Sequence, residues 1–96
     1  MPPRCGTRPR EPIFTVVPLF MLRHHHQPEE CPSAYAAWKG FESPLRGHQA
    51  LSSCRGGGHE IWWEVDAVDV ADALGRLPGF VAERTIATRV NKVDIT

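Results

Sequence analysis

The stretch His59-Glu60-Ile61-Trp62-Trp63-Glu64-Val65-Asp66-Ala67 constrains the fold more than any other part of the chain. Its polar and apolar residues alternate, which is the mark of a strand with two unlike faces. His59, Ile61, Trp63, Val65 and Ala67 share one face. Glu60, Trp62, Glu64 and Asp66 share the other. Trp62 is the odd member, a large aromatic on the charged face, so that face is expected to be partly covered by a ligand or a partner.

The flanking segments place this strand in an α+β order. Ile13 to His26 reads as a strand in which Phe20, Leu22, His24 and His26 face one way and Leu19, Met21, Arg23 and His25 the other. Both faces begin apolar, as in a central strand covered on both sides. Gln27 to Glu30 reads as a turn. Cys31 to Phe41 reads as a short helix, with Pro32 at its first position, Gly40 at its end, and a stripe of Ala34, Trp38 and Phe41. After a loop over Glu42 to Gln49, Ala50 to Cys54 reads as a short strand. Arg55-Gly56-Gly57-Gly58 is the turn back, because glycines supply the positive φ that tight hairpins need.

Beyond the return strand, Asp69 caps a helix expected to run to about Ala82, with a buried stripe of Val70, Ala73, Leu74 and Leu77. Leu77-Pro78-Gly79 is expected to kink or end it. Arg84 to Ile95 reads as the last strand, with a bulge near Asn91-Lys92. The expected order is strand, helix, strand, strand, helix, strand. That is a ferredoxin-like βαββαβ plan, a four-stranded antiparallel sheet with two helices on one face.

Length and charge narrow the function classes. Ninety-six residues make one domain with a modest core, read here as residues 13–96. Residues 1–12 hold Pro2, Pro3, Pro9 and Pro12 with Arg4, Arg8 and Arg10, and read as a disordered tail. Residues 1–16 are also readable as a start-site artefact, since the ordered pattern begins near Val17. Net charge is zero, which gives no electrostatic argument for nucleic acid or a membrane surface. Cys5, Cys31 and Cys54 are odd in number and irregular in spacing, so they read as reduced thiols of a cytoplasmic protein rather than a disulfide framework. No apolar run reaches membrane-spanning length, and no export signal is evident.

Residues 54 to 95 carry a resemblance. The run Gly57-Gly58-His59, then Trp62-Trp63-Glu64-Val65-Asp66-Ala67, then Asp69 with Ala71, Ala73 and Leu74, then Leu77-Pro78, is similar to the dimeric α+β-barrel superfamily. That group includes muconolactone-isomerase-like proteins, antibiotic-biosynthesis-type monooxygenases and many small uncharacterised bacterial proteins, and the chain is placed among the last. The resemblance implies a homodimer built by packing two open sheet faces, with a cleft for a small cyclic or aromatic ligand. It brings no catalytic signature, and fold analogy alone assigns no chemistry.

Several residues carry chemistry of their own. His24 and His26 project from one side of a strand, about 7 Å apart along the chain. With Cys31, Cys54 and His59 they make a soft donor set suited to zinc, nickel or copper. The spacing matches no standard zinc motif, and a partly solvated strand end is the plainer reading. As acid–base groups, His24 or His26 with Glu30, or His59 after the glycine turn, suit proton transfer. Arg23 and Arg46 suit carboxylate binding, and Arg23, Tyr35 and Trp62 are the candidate ligand contacts. Cys54 on its short strand reads most simply as core. The Arg55 to Gly58 loop joins two strands and opens no helix, so it is not a phosphate loop. Three functions follow as expectations. The first is a ligand-binding protein or minor enzyme without cofactor, of isomerase or cofactor-free monooxygenase type. The second is a transition-metal protein, and the third a structural dimer.

Overall fold

A computed structural model describes residues 17–96. The tail and start-site expectations for residues 1–16 lie outside the described residues. Four strands are present: β1 (Leu19–His25), β2 (Leu51–Ser52), β3 (Glu60–Asp66) and β4 (Thr85–Val90). Three short helices accompany them: α1 (Cys31–Ala36), α2 (Val70–Leu74) and α3 (Gly79–Ala82). The strands form one antiparallel sheet in the order β2-β3-β1-β4. The molecule is therefore α+β, with an open four-stranded sheet.

Alternation along β1 and β3 decides which face is covered. Leu22 pairs with Trp63, Phe20 with Val65 and His24 with Ile61, so these side chains share a face. That face meets the helices: Phe20, Leu22, Val65 and Ala67 form one buried cluster with Ala73, Leu77 and Val81. Trp38, just after α1, packs on Trp63 with ring centroids 5.8 Å apart. Met21, Arg23, Trp62, Leu51 and Ile86 lie on the opposite face by the same register. There Ile86 is 59% and Leu51 75% exposed. The described residues thus cover β1 on one side, whereas the apolar start of the strand suggested both.

The second helical segment is shorter than its periodicity suggests. Asp69 caps α2 as expected, its carboxylate accepting from the Asp72 amide at 2.8 Å. The Asp72 carboxylate in turn accepts from the amide of Val68, the residue before the cap, at 3.0 Å. The helix stops at Leu74, and Gly75 follows as its cap. Pro78 then opens α3 rather than kinking a continuous helix. Ala73 is buried as read, but Val70 is 46% exposed. Strand β4 ends at Val90, and residues 91–96 form no regular element, so the expected bulge near Asn91-Lys92 is not formed.

Candidate metal centre

Four elements bring their ends to one corner of the sheet. Strand β1 runs out to His25, and one further ladder bond, from the His26 amide to the His59 carbonyl at 3.1 Å, fixes His26 beside the start of β3. Cys31 is the first residue of α1. Cys54 begins the single 3-10 turn that follows β2. This turn is closed by glycines: Gly57 has φ +89°, and a Cβ on Gly58 would lie 2.9 Å from that of Ser53. The tight turn delivers His59 with φ 54°, a left-handed conformation that non-glycine residues seldom adopt. Backbone strain at a single imidazole is the kind of feature that accompanies a functional position.

The result is a cluster of His26, Cys31, Cys54 and His59 whose donor atoms all lie within 4.8 Å of one another. His26 Nε2 is 3.7 Å from Cys54 Sγ. A tetrahedral zinc ion with ordinary bond lengths places neighbouring sulfur and nitrogen ligands about 3.6 Å apart. The measured separation is therefore already close to that of a ligated pair. His59 Nδ1 is buried and has no hydrogen-bond partner. A buried unpartnered nitrogen costs stability unless some further group takes it up. Beside two thiols and a second imidazole, a soft cation is the group that fits.

A proton chain behind His26 orients it for that role. The Val81 carbonyl, 3.2 Å from His24 Nδ1, can only accept, so His24 Nδ1 carries the proton. Thr85 Oγ1 donates to the same carbonyl at 2.6 Å. Burial holds the His24 pKa below 6.5 against the opposing effect of the Val81 bond, with smaller lowering from His26 and Arg84. His24 is therefore neutral at pH 7, and its Nε2 offers a lone pair. That lone pair faces His26 Nδ1 at 2.9 Å, which must donate. Burial and then the neighbouring His59 lower the His26 pKa too. His26 is left neutral, with its Nε2 lone pair turned toward Cys54. In metal sites a ligating histidine ordinarily donates its other ring N–H to an acceptor that fixes its tautomer, and here the His24 lone pair fills that place.

The thiols sit in unlike environments. Burial pushes the Cys31 thiol above 9.0, and the nearby Cys54 adds to it. Burial also opposes ionisation of Cys54, but hydrogen bonds from Ser52, Tyr35 and Cys31 outweigh it and hold its pKa below 9.0. Tyr35 Oη donates to Cys54 Sγ at 3.3 Å. Tyr35 is itself pushed above 10.0, first by that bond. Glu30, considered as a partner for the histidines, instead pairs with Arg84 at 3.1 Å. The bond to the Gln27 amide, then Arg84, holds its carboxyl below 4.5.

The other sequence candidates are dispersed. His24 is a support for His26 and stands outside the four-residue cluster. Arg23 pairs with Glu60 at 3.3 Å on the open face, near Trp62. Arg46 donates to the Phe41 carbonyl at 3.2 Å. Tyr35 borders a cleft of about 440 Å³ between α1 and the β2 edge, with Trp38, Leu45, Ser52 and Trp63. Trp62 borders a second, of about 740 Å³, on the open face with Met21, Leu51 and Glu64. Cys54, read from its strand as core, is the ligand candidate that the sequence reading underrated. Its signal is the hairpin itself, since Cys54 and His59 flank the glycine turn that folds one toward the other. No protein-family description matches the chain, and neither the curated proteins nor the solved structures include a detectably similar one.

Proposed function

We propose that this is a transition-metal-binding protein in which His26, Cys31, Cys54 and His59 hold a zinc-type cation. The carrying observation is the four-donor cluster within 4.8 Å. Two sulfurs and two imidazoles favour zinc or copper(I) over magnesium or calcium, which take oxygen ligands. Four protein ligands make a closed, structural kind of site. A small domain gains much from such a staple, and only nine hydrophobic residues are buried among the described residues. The cation would tie the end of β1, the start of α1, the turn after β2 and the start of β3.

The test is elemental analysis of untagged full-length protein, followed by zinc and cobalt(II) titration of the metal-free form. The expected result is one equivalent bound, with the cobalt absorption of a tetrahedral thiolate site. Binding should be lost in Cys54→Ser and in His26→Ala. Failure of the metal-free protein to bind either ion, with its fold intact, would refute the reading.

A second reading is small-molecule binding, favoured by the cleft of Tyr35, Trp38 and Trp63 beside the cluster. Quenching of tryptophan fluorescence by cyclic and aromatic carboxylates tests it, and no response across that set would count against it. The strand order β2-β3-β1-β4 supports a ferredoxin-like topology. The open face with Met21, Trp62, Leu51 and Ile86 supports a homodimer, which native mass checks. Cys31 and Cys54, the free thiols among the described residues, support a reducing, cytoplasmic setting.

A further inference from the structure

We infer that Cys31 and Cys54 form a dithiol that hydroperoxides oxidise to a disulfide, and that this closure expels the cation. The second half rests on the metal reading above. The first half stands on the sulfur geometry alone.

Both sulfurs belong to the cluster whose donor atoms lie within 4.8 Å. A disulfide needs about 2.05 Å between them, so closure requires a movement of under about 3 Å. The fold allows that movement on one side. Cys54 begins a single 3-10 turn that leads into Gly56 and Gly57, and a Cβ on either glycine would meet nothing within 4 Å. Cys31 is anchored at the head of α1, so Cys54 is the partner that moves. Both cysteines are partly exposed. Ser52 and Tyr35, the neighbours of Cys54, line the cleft of about 440 Å³, which gives a small oxidant a way in.

The chemistry closes without another reagent. The Cys54 sulfur attacks the O–O bond of hydrogen peroxide. An S–O bond forms, the O–O bond breaks, and one oxygen leaves as water after taking up a proton. The Cys31 sulfur then attacks the sulfenic sulfur. The S–S bond forms, the S–O bond breaks, and hydroxide leaves as a second water. Two thiols give up two electrons to one peroxide, yielding one disulfide and two waters. A disulfide sulfur is a poor ligand, so two of the four donors are lost together. The remaining pair, His26 and His59, does not hold a zinc-type ion against a chelator.

The experiment uses full-length protein carrying Cys5→Ser, so that one thiol pair remains, in zinc-loaded and metal-free forms. Each is treated with equimolar hydrogen peroxide and followed by intact mass, non-reducing peptide mapping and a chromophoric zinc chelator. The expected result is a loss of two hydrogens and a peptide linked through Cys31 and Cys54. From the loaded form, one zinc should be released per disulfide, reversed by dithiothreitol. A further Cys31→Ser change should trap the intermediate as a dimedone adduct on Cys54. Oxidation to sulfinic acid with no linked peptide in either form would overturn the inference, while bound zinc would leave the metal reading standing. A disulfide that forms with zinc still held would overturn the expulsion step. If the protein binds no zinc and the disulfide still forms, the metal reading fails and the dithiol remains.

Discussion

Replacing His24 by phenylalanine isolates the outer partner of the cluster from its ligands. His24 is 0% exposed, so a ring of similar size keeps the packing of β1 against Val81. What disappears is the acceptor 2.9 Å from His26 Nδ1. On the other side little is orphaned, because the Val81 carbonyl keeps the Thr85 hydroxyl at 2.6 Å. The penalty therefore falls on His26, whose N–H is left buried and unpaired. Such a group costs about 1–3 kcal/mol. Loss of an outer partner independently weakens a metal site by about tenfold to a hundredfold, or about 1.4–2.7 kcal/mol. The two figures bear on one quantity because ligation at Nε2 fixes the His26 proton on Nδ1, so the unpaired N–H belongs to the metal-bound form and lowers metal affinity.

The assay is competition for zinc against a chromophoric chelator, with circular dichroism as the check on the fold. His24→Phe should bind about tenfold to a hundredfold more weakly while keeping its structure. His24→Gln, whose side-chain oxygen can accept from His26, should recover part of the loss. Two results would refute the reasoning. Binding within about threefold of the native protein would show that the 2.9 Å contact does not orient His26, because an oriented site loses at least about tenfold. Complete loss of binding with the fold intact would make His24 a ligand in its own right.

Three further outcomes follow from the same structure. Zinc affinity should fall on acidification from pH 8 to pH 6. Cys31 lies above 9.0 and Cys54 below it, so metal must displace between one and two thiol protons, and affinity should drop about tenfold per pH unit for each. A flat profile would rule out thiolate ligation. Leu22→Ala removes a fully buried side chain at the centre of β1 and should cost about 2–5 kcal/mol, read as a fall in the denaturation midpoint at unchanged slope. A loss below about 1 kcal/mol would mean that the site collapses around the smaller side chain. Asp69→Ala removes the cap whose carboxylate takes the Asp72 amide and should cost about 1 kcal/mol, whereas Asp69→Asn should be close to neutral.

The sheet was legible in the sequence because its signal is local. Alternation from Glu60 to Asp66 fixes a face for every residue, and the pairing of β3 with β1 keeps those faces. Asp69 was legible as a cap for the same reason, since its partner Asp72 is three residues away. The helix expected to reach Ala82 fails through a balance of weak effects. Gly75 and Pro78 end α2 early, although Leu77 and Val81 remain buried at helix-like spacing. The periodic pattern survives as two short helices on one path, and periodicity does not distinguish that from a single helix.

The site shows where local reading stops. His24 and His26 share a strand face, so their parity suggested a chelating pair. In the folded chain the two rings lie 5.0 Å apart and one imidazole supports the other. That difference is set by Val81, which reaches His24 from α3, far along the chain. With His24 Nδ1 donating to the Val81 carbonyl, the only lone pair left on that ring points at His26, and none is free for a cation. Parity on β1 brings the two histidines together, but a carbonyl from another element decides which of them keeps a lone pair free to face the cysteines. Cys54 enters by the same logic. Its strand is two residues long and carries no pattern of its own, so its role is decided by the glycine turn that brings it to His26 and by the tyrosine across the cleft.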